Sequence, residues 1–229
     1  MRAGREAARL PRPCLALVTD RTIFAGDLAA AVEACVAAGV DLVQVREREL
    51  GGAALLAHVD ALLAAAQRGA RARRGRVRVV VNRRVDVALA AGADGAHLGT
   101  GALPAPSARA LLGRGAWLGV STHAPDEALA LDPRVVDYAH LAPVFAPRSK
   151  RGERAPLGLE PLARACAGGV PVLAQGGVDA TNAGACLACG AAGVAVTGEI
   201  LLAADPGAAA RALRAALDAG SRTRRTPTG

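Results

Sequence analysis

Several side chains able to bind anions or move protons sit at the ends of apolar runs in this chain. The stretch QVREREL at 44–50 spaces Gln44, Arg46 and Arg48 two residues apart. In an extended segment they share one side, and Val45 and Glu47 take the other. Three donors in a row can hold an anion, and Glu47 and Glu49 are expected to face away from it. Asn82 closes VVVN at 79–82 with an amide that both donates and accepts, and Asp86 beyond it is expected to cap a helix. His97 lies in GAHLG and Ser121 and His123 in GVSTH; imidazoles that titrate near neutrality suit proton transfer. Gly176 and Gly177, and Thr197 and Gly198, are small enough for backbone N–H groups to approach a phosphate. Lys150 is the only lysine among 28 basic residues. A lysine retained in an arginine-rich chain points to a place that needs a compact point charge on a flexible stem.

The elements that carry these residues repeat. Apolar runs cover 15–20, 42–47, 77–82, 96–99, 118–123, 139–145, 170–177 and 194–198, and alanine-rich helical stretches follow most of them. Strands alternating with helices of this length imply βαβ units and a parallel sheet. Eight units in 229 residues fit a single closed (β/α)8 TIM barrel. Active sites of that fold lie where the strands end, which is where the polar residues above fall. The expected organisation is a flexible basic arm at 1–13, the barrel at 14–220 and a disordered basic tail at 221–229.

Composition narrows the function classes. The chain is 52% hydrophobic and 2% aromatic, so the core must be aliphatic, and a domain of this size needs no staples. Five cysteines, an odd number scattered through apolar segments, suit buried thiols in a reducing cytoplasm. Cys186 and Cys189 have CxxC spacing, but they lie in an expected helix without a second ligand pair, so no metal is assigned to them. No run approaches the roughly 20 apolar residues of a membrane span, and residues 1–13 lack the apolar core of a secretory signal. The net charge of +8 is spread along the chain without aromatic interleaving, which argues against nucleic acid and for phosphorylated small molecules.

Read together, the motifs identify a family. QVREREL at 44–50, VNRRVDVAL at 81–89, GADGAHLG at 92–99, LGVSTH at 118–123, PVF at 143–145 and Gly176–Gly177 resemble, in order, the thiamine phosphate synthase and thiazole tautomerase superfamily. The resemblance implies a thiamine-biosynthesis barrel in the cytoplasm. In the synthase it would join hydroxymethylpyrimidine diphosphate to a carboxylated thiazole phosphate and release pyrophosphate. Gln44, Arg46, Asn82, Ser121 and Lys150 would contact the pyrimidine diphosphate, with Arg48 in a slot usually held by lysine. Gly177, Thr197 and Gly198 would hold the thiazole phosphate, and Ser149 takes a threonine slot of the loop before Lys150. The synthase binds Mg2+ through two aspartates, whose slots here are Arg83 and Ala102. That change removes the hard oxygen ligands Mg2+ requires.

On this basis the sequence favours the tautomerase-like branch. The expected activity is a metal-independent isomerase of a thiazole phosphate, with no cofactor, His123 as first acid/base candidate and His97 as second. Arg83 is expected to clamp phosphate in place of the metal. A thiamine phosphate synthase with an altered Mg2+ site is the alternative, and a non-catalytic phosphate binder is the third reading. The sequence leaves open whether the chain forms a homo-oligomer.

Overall fold

The computed structural model describes residues 10–146 and 154–223. Eight strands close a parallel barrel in sequence order, β1 through β8, with β8 pairing back to β1. The elements are β1 (Cys14–Val18), α1 (Leu28–Ala37), β2 (Leu42–Val45), α2 (Gly52–Ala72), β3 (Arg78–Asn82), α3 (Val85–Ala90), β4 (Gly95–Leu98) and α4 (Ala105–Leu112). Then follow β5 (Trp117–Thr122), α5 (Pro125–Leu129), β6 (Tyr138–Leu141), α6 (Leu159–Ala165), β7 (Val172–Gln175), α7 (Ala183–Ala188), β8 (Gly193–Val196), α8 (Gly198–Leu201) and α9 (Pro206–Thr223). This is the TIM barrel expected from the sequence.

The strands read as unbroken apolar runs because both their faces are buried. Val43, Val45, Val79 and Val81 point outward into the helical layer, while Ala16, Leu42, Val80 and Leu173 fill the interior. Helices form where a cap or an apolar stripe supports them; Asp27, for example, accepts hydrogen bonds from Ala29 N and Ala30 N at the start of α1. The sixth run stops as a strand at Leu141, four residues earlier than expected, because the chain leaves the ladder before Pro143. Leu10, inside the expected arm, packs against the interior cluster. Helix α9 crosses the expected boundary at 220, and residues 1–9 and 224–229 of the arm and tail lie outside the described residues.

The amino-terminal rim carries a repeated brace. Asp41, Asp94 and Asp137 directly precede or closely precede β2, β4 and β6, and each carboxylate accepts the backbone N–H of the preceding strand, from Leu15, Val79 and Leu118 at 2.7–3.0 Å. Arginines close each brace: Arg73 and Arg214 on Asp41, Arg78 on Asp94, Arg109 on Asp137. Such bonds satisfy strand-end donors that no neighbouring carbonyl reaches.

Across the middle of the barrel runs a buried polar layer. His97, Tyr138 and His140 stack with ring centroids 4.3–5.5 Å apart. Gly119 makes room for it, since a Cβ there would lie 2.2 Å from Tyr138 Cζ and 2.5 Å from His97 Nδ1. No helix among the described residues is long and apolar enough to cross a membrane.

Candidate functional site

The carboxyl ends of the strands open into a cavity of about 380 Å3. Gln44, Arg46, Arg48, Asn82, Arg83, Ser121, His123, Gly177, Thr197 and Gly198, ten of the residues expected at the site, all line it. Ser149 and Lys150 lie outside the described residues.

Its floor is polar and built from strand-terminal side chains. Gln44 Nε2 donates to Asn82 Oδ1 at 3.2 Å, and the buried Gln44 Oε1 has no hydrogen-bond partner. A buried acceptor left unpaired at a cavity wall costs ~1–3 kcal/mol until a ligand donor meets it. Ser121 Oγ lies 2.9 Å from His97 Nε2, and His97 Nδ1 lies 3.1 Å from the Tyr138 hydroxyl. Gln175 Oε1 accepts from His140 Nδ1 at 3.0 Å.

His97, the second acid/base candidate, lies beneath the cavity in contact with Ser121. It is fully buried, it does not line the cavity, and burial, reinforced by the neighbouring His140, holds its pKa well below 6.5. Its work is to anchor Ser121 from below. His123 does reach the cavity: its Nδ1 lies 2.8 Å from Ala142 O and so donates.

The wall beyond β2 and β3 is cationic, with Arg46, Arg48 and Arg83, and Arg154 from the loop before α6 also lines the cavity. Glu47 faces away as expected, accepting from Thr19 Oγ1 at 2.5 Å and Arg21 N at 2.8 Å; Thr19 Oγ1 in turn accepts from Arg46 N. Yet Arg46 is not free of acids, because Asp20 at the end of β1 binds its Nη1 at 3.1 Å. The pairing escapes the alternation argument because it comes from the neighbouring strand. Arg83 stands at φ +63° just beyond β3, with its N–H on His97 O at 2.8 Å and its Nη2 on Gly101 O at 3.1 Å. Arg48 and Arg154 have no partner among the described residues.

The opposite wall is backbone. Gly176 and Gly177 adopt φ +88° and +62°, and a Cβ on Gly177 would lie 2.5 Å from Ala146 O. Only glycine fits that turn. Thr197 and Gly198 open the four-residue α8, where Ile200 N and Leu201 N donate to Thr197 O.

The donor set does not fit Mg2+. The acids lining the cavity are Asp20, bound to Arg46, Asp179, whose Oδ1 accepts from Thr181 and Asn182, and Glu199. Among the described residues no group of three His, Cys, Asp or Glu could hold a metal ion. A guanidinium occupies the position after Asn82, and the one buried side-chain oxygen without a partner among the described residues, Gln44 Oε1, is a neutral amide.

Reasoning from sequence missed Asp20, Gln175, Arg154 and Glu199 at the cavity. Gln175 had a readable signal, a polar residue ending an apolar run; Arg154 had none. It also passed over His140. The cysteine reading stands closer to the structure: burial pushes the Cys186 thiol up to about 12, the behaviour of an inert core thiol.

Residues 15–200 match the family described as thiamine monophosphate synthase. A thiamine-phosphate synthase of Mycolicibacterium smegmatis is 42% identical over 218 residues, covering 92% of this chain and 95% of that protein. One of Anaeromyxobacter dehalogenans is 40% identical over 199 residues and 86% of each chain. The solved thiamine phosphate pyrophosphorylase of Pyrococcus furiosus superposes with a TM-score of 0.77 at 27% identity, covering 91% of this chain and 96% of that one. These relatives overturn the isomerase expectation: at such identity and coverage the chain groups with synthases, and the absent acids alone do not move it to another reaction.

Proposed function

The chain belongs to the thiamine monophosphate synthase family and is a thiamine-pathway enzyme, and on that premise we propose that it joins hydroxymethylpyrimidine diphosphate to thiazole phosphate, releasing pyrophosphate. The observation that carries this reading is one cavity lined by arginines beyond β2 and β3 and by Gly176, Gly177, Thr197 and Gly198 beyond β7 and β8, with a polar floor between them. Two phosphorylated substrates need two anion-binding walls, and a one-substrate reaction needs one.

The cationic wall at β2 and β3 suits the diphosphate. The bond between the pyrimidine methylene carbon and the diphosphate oxygen breaks, and the oxygen leaves with the electron pair. Negative charge grows on that oxygen as the bond lengthens, so fixed guanidinium groups beside it stabilise the transition state more than the ground state. Gln44, Asn82 and Ser121 form the floor beneath the pyrimidine, and the unpaired Gln44 Oε1 offers an acceptor to a ring amino group. Across the cavity, the backbone amides of Gly177 and Gly198 take the thiazole phosphate. The thiazole nitrogen then faces the methylene carbon and supplies the pair for the new C–N bond. Holding both reactants in one cavity supplies the proximity that a two-substrate displacement needs.

Purified protein incubated with the two phosphorylated precursors is expected to yield thiamine phosphate and pyrophosphate. Asn82→Ala, which removes one side of the floor, should lower kcat/KM about 100-fold. Absence of product from the wild-type protein, with and without Mg2+, would falsify the assignment.

A further inference from the structure

We propose that this enzyme binds and releases the diphosphate without a metal ion, through an arginine clamp centred on Arg83 with Arg48 beside it. The inference rests on the synthase reading, because that reading supplies the diphosphate.

Arg83 is built into its place. A non-glycine residue at φ +63° is uncommon, and the surrounding backbone holds it there: Arg83 N binds His97 O, Arg84 N binds Asn82 O, and Val85 N binds Arg83 O. The turn directs the side chain across the mouth towards the loop after β4. Gly101, at φ +74°, receives it; a Cβ at Gly101 would sit 3.3 Å from Arg83 Nη2. Only that Nη2 is engaged, on Gly101 O, among the described residues. The other guanidinium N–H groups remain for a ligand, in a planar fork that matches two phosphate oxygens.

The electrostatics agree. Two carboxylates and a Mg2+ ion sum to zero charge, whereas arginine and alanine in the same two positions give +1. A trianionic ligand therefore meets a net attraction here without the ion. Arg48 adds a second cation on the same wall, and both belong to the lining of the cavity. A doubly charged ion beside these guanidiniums would be repelled, and the described residues offer no group of three His, Cys, Asp or Glu to hold it.

The test separates binding from turnover. Inorganic pyrophosphate is titrated calorimetrically into wild-type protein and Arg83→Gln, each in excess chelator and in excess Mg2+. Gln keeps most of the side-chain length and removes the charge, and thermal melting checks that the variant is folded. The expected result is tight binding to the wild type in chelator, changed less than about threefold by Mg2+, and a loss of about 100-fold in Arg83→Gln. Arg83→Lys, a point charge without the fork, should recover only part of the affinity. Thiamine phosphate formation from the two precursors should persist in chelator. Binding that appears only with Mg2+, or an Arg83→Gln variant that binds like the wild type, overturns the clamp. Product formed only with Mg2+ overturns it while leaving the synthase reading intact. Metal-free pyrophosphate binding with no product in either condition does the reverse.

Discussion

The two rims of the barrel are both rich in arginine and use it in opposite ways. At the amino-terminal rim Arg109 spends its guanidinium entirely on the protein, donating to Val135 O, Gly113 O, Ala116 O and the Asp137 carboxylate. Arg73, Arg78 and Arg214 are likewise bound to Asp41 or Asp94. At the carboxyl rim Arg83 makes one side-chain bond, and Arg48 has none among the described residues. Donors already satisfied by carboxylates and carbonyls stabilise the fold, whereas donors left over can bind an anion. In a chain whose basic residues are nearly all arginine, the residue type says nothing about role. Its partners decide it: Arg46 at the carboxyl rim is itself held by Asp20, whereas Arg48 and Arg83 there have no carboxylate among the described residues.

The strongest way to break that contrast is to attack the braced rim. Asp41 accepts from Leu15 N, Arg73 and Arg214, and the Nε atoms of both arginines are already buried without partners. Asp41→Ala leaves a strand N–H without its acceptor and Arg73 without its carboxylate, while Arg214 keeps only Asp218 and Pro13 O. We expect a loss of about 4 kcal/mol in urea unfolding at pH 7, with activity per folded molecule unchanged. Asp41→Asn, which keeps an acceptor, should lose less. A fall in kcat/KM at full folding would mean that the rims do not divide the labour.

Between the rims, the buried histidine layer sharpens the contrast through pH. Burial holds His140 down to about 4 against an unfolded value near 6.5, and the Gln175 bond only partly opposes this. His97 shifts in the same direction. A depressed histidine contributes stability that is complete above the unfolded pKa and is lost as pH falls through the folded one. His140 alone should then cost about 3 kcal/mol between pH 7.5 and pH 4. Urea midpoints measured across that window check it, and His140→Leu, which removes the titration, should flatten the slope. An unchanged slope would mean that the ring is hydrated in the folded protein.

Much of this was legible in the residues, and the failures have physical causes. The barrel could be read because its strands are buried on both faces, so each appears as an unbroken apolar run. The cavity lining could be read because alternation fixes which side chains share a face, which is why Gln44, Arg46 and Asn82 meet as expected. Depth along the barrel axis could not. His97 and Ser121 both end apolar runs, yet the ladder pairs His97 with Gly119, two residues below Ser121, and this stagger puts the imidazole in the core. Pairing between strands was equally hidden, since Asp20 reaches Arg46 from 26 residues away. His140 lies inside its four-residue strand and is buried, so a search of the polar residues beyond the strand ends passes over it. The choice of reaction failed for a different reason: lost metal ligands were weighed as a lost reaction, although a guanidinium can take over the charge the ion supplied.

The smallest effect tests the rims against each other directly. Arg48 is exposed and lines the cavity, so Arg48→Ala removes a cation that stabilises nothing in the folded protein. Its KM for the pyrimidine diphosphate should rise about tenfold, roughly the worth of one charge-assisted hydrogen bond at a partly solvated site, while its urea midpoint stays at the wild-type value. Arg109→Ala should behave in the opposite sense, unfolding earlier because the Asp137 carboxylate and three carbonyls lose their donor, with KM unchanged. Each measurement serves as control for the other, since a general softening of the barrel would move both quantities in both variants. If Arg48→Ala lowers stability and leaves KM alone, the carboxyl-rim arginines are braces too, and the anion site must lie on the glycine side of the cavity only.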